Sequence, residues 1–383
     1  MIRLILLTDF TEQYASQLLR GILKYSQRTS PWVICKMPPE FKRVKGINGV
    51  VKWARAWKAD AVIGQFEAGD DLTLFHRHGI VTIAQDYKER FKDIPNITSD
   101  YDAAGRKAAE FYMNKGFRSF AFYGYRNVVW SDERLRGFRA ALKEHGLERQ
   151  LSTCCVQNLD ELWYYHSEPL TKWLLSLPKP TALFAADDNM AMKIVEQCHV
   201  LDIKIPQDLS VLGVDNDEIA CQLCFPKLSS IQLDVQRAGF ETAQMIEQMR
   251  NDPGNRGHDI NVQLIGVMER NSTDFFAAKD PNIQRALNYI YFNLNSIRSV
   301  NDVVRQLPLS RRLFEIRFRE EMQTTPLVYI TRLRMNRFAQ LLLSTNEPIE
   351  SLCERMSLNI KNLSRQFRQY KGMTPFEYRN KYK

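Results

Sequence analysis

Over the first 270 residues, short apolar runs rich in β-branched side chains alternate with longer stretches of helical period. Leu4 to Leu7, Val33 to Cys35, Ala61 to Gly64, Ile80 to Ile83 and Phe120 to Tyr123 are the expected strands of a first half. Amphipathic helices are expected between them, at Gln13 to Gln27 and Asp102 to Lys115. After a helix at Glu133 to Glu144, a second series offers strands at Thr153 to Val156, Ala182 to Ala185, Ser210 to Val214, Ser229 to Ile231 and Ile260 to Gly266. Its helices fall at Leu162 to Leu175, Asn189 to Leu201 and Val235 to Met249. Strands that alternate with helices in this way predict βαβ units and parallel sheets. Two α/β lobes suit this length better than one enlarged sheet.

The pattern changes at a polar stretch from Arg270 to Asp274 that ends in Asp280-Pro281. Beyond it the period is 3.6 throughout, with helix start signals at Ser299, Ser310, Thr325-Pro326, Asn346-Glu347-Pro348 and Thr374-Pro375. The division expected is residues 1–272 as an α/β body, 273–284 as a linker and 285–383 as an all-α domain. That domain shows a rough duplication. A short helix from Val300 to Leu307, a break at Pro308 and a helix opened by Ser310 are repeated as Ile349 to Met356, a break near Ser357 to Asn359 and a helix to Lys371. A long helix from Leu327 to Leu343 separates the copies. In the second helix of each copy one stripe is apolar, with Phe314 and Phe318 in one and Leu363, Phe367 and Tyr370 in the other. The opposite faces carry Arg312, Glu315, Ile316 and Arg319, and Lys361, Ser364, Arg365 and Arg368.

Charge sharpens this division. The chain of 383 residues has a net charge of +9, but residues 281–383 hold 18 Lys and Arg against 8 Asp and Glu. The whole excess is therefore carried by the helical domain, on a body close to neutral. Lys and Arg gain free energy by displacing counterions from phosphates, so a basic terminal domain points to a polyanion. Two helix-turn-helix units with basic faces suit the DNA major groove, where Arg or Lys pairs with guanine O6 and N7. Glu315 tolerates that setting where it accepts from cytosine N4.

The residues Leu363 to Arg379, LSRQFRQYKGMTPFEYR, resemble the closing signature of AraC/XylS-type transcriptional activators, and Ser310 to Glu321 resembles that family's first recognition helix. Pro308 departs from the glycine usual in the first turn, and Ser357-Leu358 replaces Gly-Phe in a second turn one residue short. Upstream, Glu133 to Phe138 (ERLRGF), Ala185 to Ala191 (AADDNMA) and Leu212 to Asp217 (LGVDND) resemble the sugar-binding core of LacI/GalR regulators and periplasmic binding proteins. Phe120 to Gly124 and Glu269 to Asp274 extend the resemblance toward regulators of pentose operons that join the two parts. The resemblance implies a two-lobed, periplasmic-binding-protein-like α/β core with parallel sheets, followed by an all-α domain with two helix-turn-helix units. It implies Ser310, Arg311, Arg312, Glu315, Arg319, Lys361, Ser364, Arg365 and Arg368 as DNA-facing residues. The partners it implies are promoter or operator DNA, a sugar effector such as D-xylose, a second copy of the chain in a homodimer, and RNA polymerase at the promoter.

Chemistry supports a sugar independently. An uncharged polyol needs carboxylates and guanidinium forks for its hydroxyls and an aromatic face for its C–H side. Trp130 and Arg134 lie four residues apart on one helix, and Asp215 and Asp187 end strands, where open α/β sheets bind ligands. By resemblance Arg134, Asp187 and Asp215 hold hydroxyls, with Asp86 after the fourth strand as a further candidate. Asp187 is also placed to cap the helix after it, and Trp130 to pack.

Other chemistries find little footing. No phosphate loop, dinucleotide fingerprint or hydrolase elbow occurs, so no cofactor and no enzymatic activity are expected. His76 and His78 are badly spaced for one helical face, and Cys221-x-x-Cys224 has no second pair, so no metal is expected. Seven scattered cysteines and an apolar start that stops at Thr8-Asp9 fit a cytoplasmic protein, and no apolar run is long enough to span a membrane. The alternative class is a carbohydrate-metabolising enzyme with an incidental basic domain; a transport-type solute-binding protein is opposed by the absence of a signal-like start and by the fused helical domain.

Overall fold

A computed structural model describes residues 1–10, 12–156, 167–252 and 254–382; the Lys361 side chain lies outside that description. Its chain divides into two units, one of residues 1–109, 120–179 and 183–273, the other of residues 110–119, 180–182 and 274–383.

The first unit holds two six-stranded sheets. The strands are β1 (Arg3–Leu7), β2 (Val33–Met37), β3 (Ala61–Gly64), β4 (Val81–Gln85), β5 (Asn96–Ser99), β6 (Phe120–Tyr125), β7 (Leu151–Val156), β8 (Thr181–Ala185), β9 (Leu209–Val214), β10 (Ser229–Leu233), β11 (Ile260–Val262) and β12 (Leu264–Met268). One sheet has the order β11-β5-β4-β3-β1-β2 and is parallel throughout. The other has the order β12-β10-β9-β8-β6-β7, with β12 antiparallel at its edge. The helices are α1 (Gln13–Ser26), α2 (Pro39–Trp57), α3 (Thr73–His76), α4 (Tyr101–Asn114), α5 (Val129–Glu144), α6 (Ser167–Ser176), α7 (Asp188–Val200), α8 (Glu218–Leu223) and α9 (Val235–Asn251). Leu4 to Leu6 and Ala182 to Ala185 are fully buried, which is why strands covered on both faces read as unbroken apolar runs. The first part of the helix expected at Leu162 to Leu175 falls on residues 157–166, outside the described residues.

Strand membership differs from the sequence reading in two places. The Phe120 strand belongs to the second sheet, not to a first half, because β6 pairs with β7. The run from Ile260 to Gly266 is two strands, separated at Gln263: Asn261 pairs with Thr98 in one sheet and Gly266 with Gln232 in the other. Local apolar pattern identifies a strand but carries no information about which sheet receives it. β5 escapes the pattern altogether, since only Ile97 among Asn96, Ile97, Thr98 and Ser99 is strongly apolar.

The second unit continues with α10 (Pro281–Phe292), α11 (Val300–Val304), α12 (Arg311–Met322), α13 (Pro326–Ser344), α14 (Ile349–Arg355), α15 (Ile360–Lys371) and α16 (Pro375–Tyr382). Asp280, Ser310 and Thr325 cap α10, α12 and α13, accepting from the amides of Asn282, Leu313 and Val328. Each helix-turn-helix copy has its own core. Ile283, Leu287, Ile290, Val303, Phe314 and Phe318 form one, and Phe338, Leu342, Leu352, Met356, Leu363 and Phe367 form the other. Residues 110–119 pack into this unit as well. Lys115 is buried with its ammonium 4.8 Å from the ring centres of Phe276 and Tyr291, and its carbonyl accepts from Ala277 N at 2.9 Å. Arg118 donates to the Glu321 carbonyl at 2.8 Å. α4 thus begins in the first unit and ends in the second. No helix among the described residues is long and apolar enough to cross a membrane.

Candidate functional site

The carboxyl ends of the strands in the first unit converge on one cluster. Asp86 directly follows β4, Asp187 follows β8 and Asp215 follows β9, while α5 after β6 brings Trp130 and Arg134. Arg134 is 3% exposed; one guanidinium nitrogen donates to the Ala186 carbonyl and the other lies 3.5 Å from Asp215 Oδ1. Its guanidinium carbon is 5.3 Å from the Trp130 ring centre and 5.4 Å from that of Tyr101, so two rings fix the fork by cation–π attraction. Trp130 in turn meets Tyr125 edge to face at 5.6 Å. α5 can bring Arg134 this close because Gly105 and Gly137 let it touch α4. A Cβ on Gly137 would stand 2.0 Å from the Asp102 carbonyl oxygen, and one on Gly105 2.0 Å from that of Arg134.

The carboxylates are held unevenly. Asp187 caps α7, its Oδ1 accepting from Met190 N at 2.6 Å, so the capping role and a place beside the cluster are both fulfilled. Asp86 Oδ2 accepts from Thr98 Oγ1 at 2.6 Å and from Arg90 at 3.0 Å, and Arg90 also reaches Glu133 at 3.1 Å. Asp86 Oδ1 and Arg134 Nε are buried without a hydrogen-bond partner among the described residues. Burial pushes the carboxyl of Asp187 up to about 6 and raises those of Asp86 and Asp215. Asp215 and Asn216 have φ of 96° and 50°, a left-handed turn that non-glycine residues adopt at a cost. Asn216 is braced there, its carbonyl accepting from Gln13 at 3.1 Å and its side chain from Arg270 at 2.7 Å.

Three members of the cluster, Glu12, Tyr14 and Tyr101, were missed from sequence. Glu12 and Tyr14, at the start of α1, feel the charge of Asp215; burial, with Asp187 and Asp215, pushes Glu12 up to about 8, and burial raises the Tyr14 phenol. Their position after β1, at a strand's carboxyl end, was the available signal. Tyr101, the first residue of α4, was missed because the expected helix began at Asp102 and the strand before it, β5, was not expected.

In the second unit, Arg312, Arg319, Ser364, Arg365 and Arg368 are exposed on α12 and α15, opposite the buried Phe314, Phe318, Leu363 and Phe367. Lys361 lies in the first turn of α15. Ser310 is spent on its cap. Arg311 is engaged within the domain, its Nε 2.9 Å from Glu315 Oε1 and its fork donating to Asn301 on α11 at 3.2 Å. Arg311 and Glu315 pair on the exposed surface of α12, and Arg311 also reaches α11 through Asn301. Arg368 lies 3.6 Å from Glu377 on α16. At the atypical second turn Ser357 takes φ 51°, the left-handed conformation that a glycine would supply, and Leu358 donates back to the Cys353 carbonyl.

Comparison with known proteins agrees with both halves. Residues 109–273 match the periplasmic binding protein-like domain family, and residues 303–381 a helix-turn-helix domain family. The xylose operon regulatory protein of Haemophilus influenzae is 28% identical over 386 residues, covering 98% of each chain. That of Escherichia coli K12 is 27% identical over 391 residues, covering 99% of this chain and 97% of the relative. The structure of the xylose-binding transcription activator XylR aligns over 99% of this chain and 97% of its own, at 26% identity and a TM-score of 0.59. These relatives are transcription regulators, not enzymes. The chain, which joins a periplasmic binding protein-like domain to an AraC-type helix-turn-helix domain, is a sugar-responsive DNA-binding transcriptional regulator.

Proposed function

We propose that this protein is a cytoplasmic, homodimeric activator of pentose catabolism whose effector is D-xylose. The observation that carries the reading is the buried pair of unsatisfied groups, Asp86 Oδ1 and Arg134 Nε, in a cluster that already holds Asp187 and Asp215. An unsatisfied buried acceptor or donor costs about 1–3 kcal/mol, and hydroxyls of a bound sugar relieve it. A neutral pentose has vicinal hydroxyls for the fork and the carboxylates, and a C–H face for Trp130. The names of the full-length relatives favour xylose within the pentoses.

Residues 1–272 form the effector domain in this reading, 273–284 the connection and 285–383 the DNA-binding domain. A ligand shifts the protein only through its different affinity for two conformations. α4 is suited to carry that difference, because Tyr101 at its start holds Arg134 and its end is packed by Lys115 into the second unit. Each DNA-binding domain lays α12 and α15 in successive major grooves, about 34 Å apart, and a dimer covers two such sites. RNA polymerase is the partner at the promoter.

Calorimetry against D-xylose, L-arabinose and D-ribose tests the effector. D-xylose is expected to bind best and to strengthen promoter binding. Arg134→Ala is expected to abolish the sugar response while leaving basal DNA binding; a variant that responds normally removes the site assignment.

A further inference from the structure

The two recognition helices are copies of one pattern that differ in chemistry at an exposed position. Aligning the buried pairs, Phe314 and Phe318 with Leu363 and Phe367, sets Arg312 against Lys361, Glu315 against Ser364, Arg319 against Arg368, and Ile316 against Arg365. Arg365 is exposed, and Ile316 is 46% exposed. Phe314, Phe318 and Met322 on α12 are buried and form the core face of the helix without Ile316, while Leu313 is 38% exposed and Ile316 is more exposed still.

A single exposed isoleucine is ordinary on a protein surface. Ile316 stands apart because of its register. It lies one turn after Arg312 and one turn before Arg319, in the middle of the face that meets DNA in the present reading. It occupies the position that the other copy gives to an arginine. An isoleucine offers a groove neither donor nor acceptor, and the apolar group that the major groove presents is the thymine 5-methyl.

We propose that Ile316 reads a thymine methyl in the groove entered by α12, while Arg365 reads guanine O6 and N7 in the groove entered by α15. Each domain then recognises an asymmetric site, with a thymine in one groove and a guanine in the next. The inference rests on the reading of this chain as a sequence-specific DNA-binding regulator.

The test uses the full-length protein with D-xylose present. Binding sites are selected from a random duplex pool, and each thymine of the enriched site is replaced singly by uracil, which removes the methyl and leaves pairing intact. One replacement is expected to weaken binding about fourfold, the worth of one buried methyl. Ile316→Ala should be indifferent to uracil at that position alone, Ile316→Val should keep most of the discrimination, and Ile316→Arg should turn the preference there from thymine to guanine. The proposal falls if no uracil weakens binding, or if Ile316→Ala suffers the same loss as the parent protein. Enrichment of no sequence at all would instead remove the regulator reading, and this proposal with it.

Discussion

At Glu12 and Asp187 the fold keeps carboxyls where ionisation is costly. Burial, with neighbouring carboxylates, holds them up to about 8 and about 6. A raised carboxyl contributes stability that is full below the ordinary carboxylate range, near pH 4, and is lost as pH rises through the folded value. The ligand-free protein is therefore expected to lose stability as pH rises from about 4 to about 8, seen as a falling Tm. Glu12→Gln should flatten the upper part of that profile; thermal melts across this range decide it. Gly137→Ala pushes a Cβ into the Asp102 carbonyl and is expected to cost roughly 1–3 kcal/mol in chemical denaturation, with weaker sugar binding because α5 must move Arg134. Of these residues, Arg134, Asp187, Asp215, Trp130 and Asp86 were legible from strand ends and helix spacing. Glu12, Tyr14 and Tyr101 were not picked out: each follows a strand's carboxyl end, but only contact with residues far away in sequence singles them out from the other residues there.

Among the elements, the recognition helices show how closely a helical period can be read. α12 and α15 start and stop within a residue or two of their expected limits, since each has a cap or turn residue of its own and an apolar stripe of fixed period. Arg312→Ala and Arg365→Ala are each expected to cost about 1–3 kcal/mol of specific binding and to relax preference locally, read by affinity on selected and random duplexes. An equal loss on both duplexes would count against base reading. The turn before α15 yields a second expectation. Ser357 holds a left-handed conformation that costs an L-residue about 1 kcal/mol, so Ser357→Gly should stabilise the helical unit by up to that amount in denaturant titration. Sheet membership was beyond reach at this scale. A run such as Ile260 to Gly266 has the same alternation whether it serves one sheet or two.

For the whole molecule, the charge asymmetry becomes a statement about affinity. DNA binding by the full chain should fall steeply with salt, and a phosphate-contacting cation removed from α12 or α15 should lower the slope by about 1, measured as log affinity against log salt. The join between the parts is less separable than composition suggests. Residues 110–119 lie within the effector half of the sequence, yet they pack with Phe276, Tyr291 and Glu321. A cut at residue 280 therefore uncovers Lys115 by removing Tyr291. The sequence by itself determined that an α/β body precedes a basic helical domain with a duplicated helix-turn-helix, because period, capping and charge are local properties of a chain. Only the tertiary structure decided which strands share a sheet, which carboxylates surround Arg134, that Arg311 pairs with Glu315, and that α4 serves both units. Those depend on contacts between distant segments, whose free energy comes from burial and pairing in three dimensions and leaves no periodic trace along the chain.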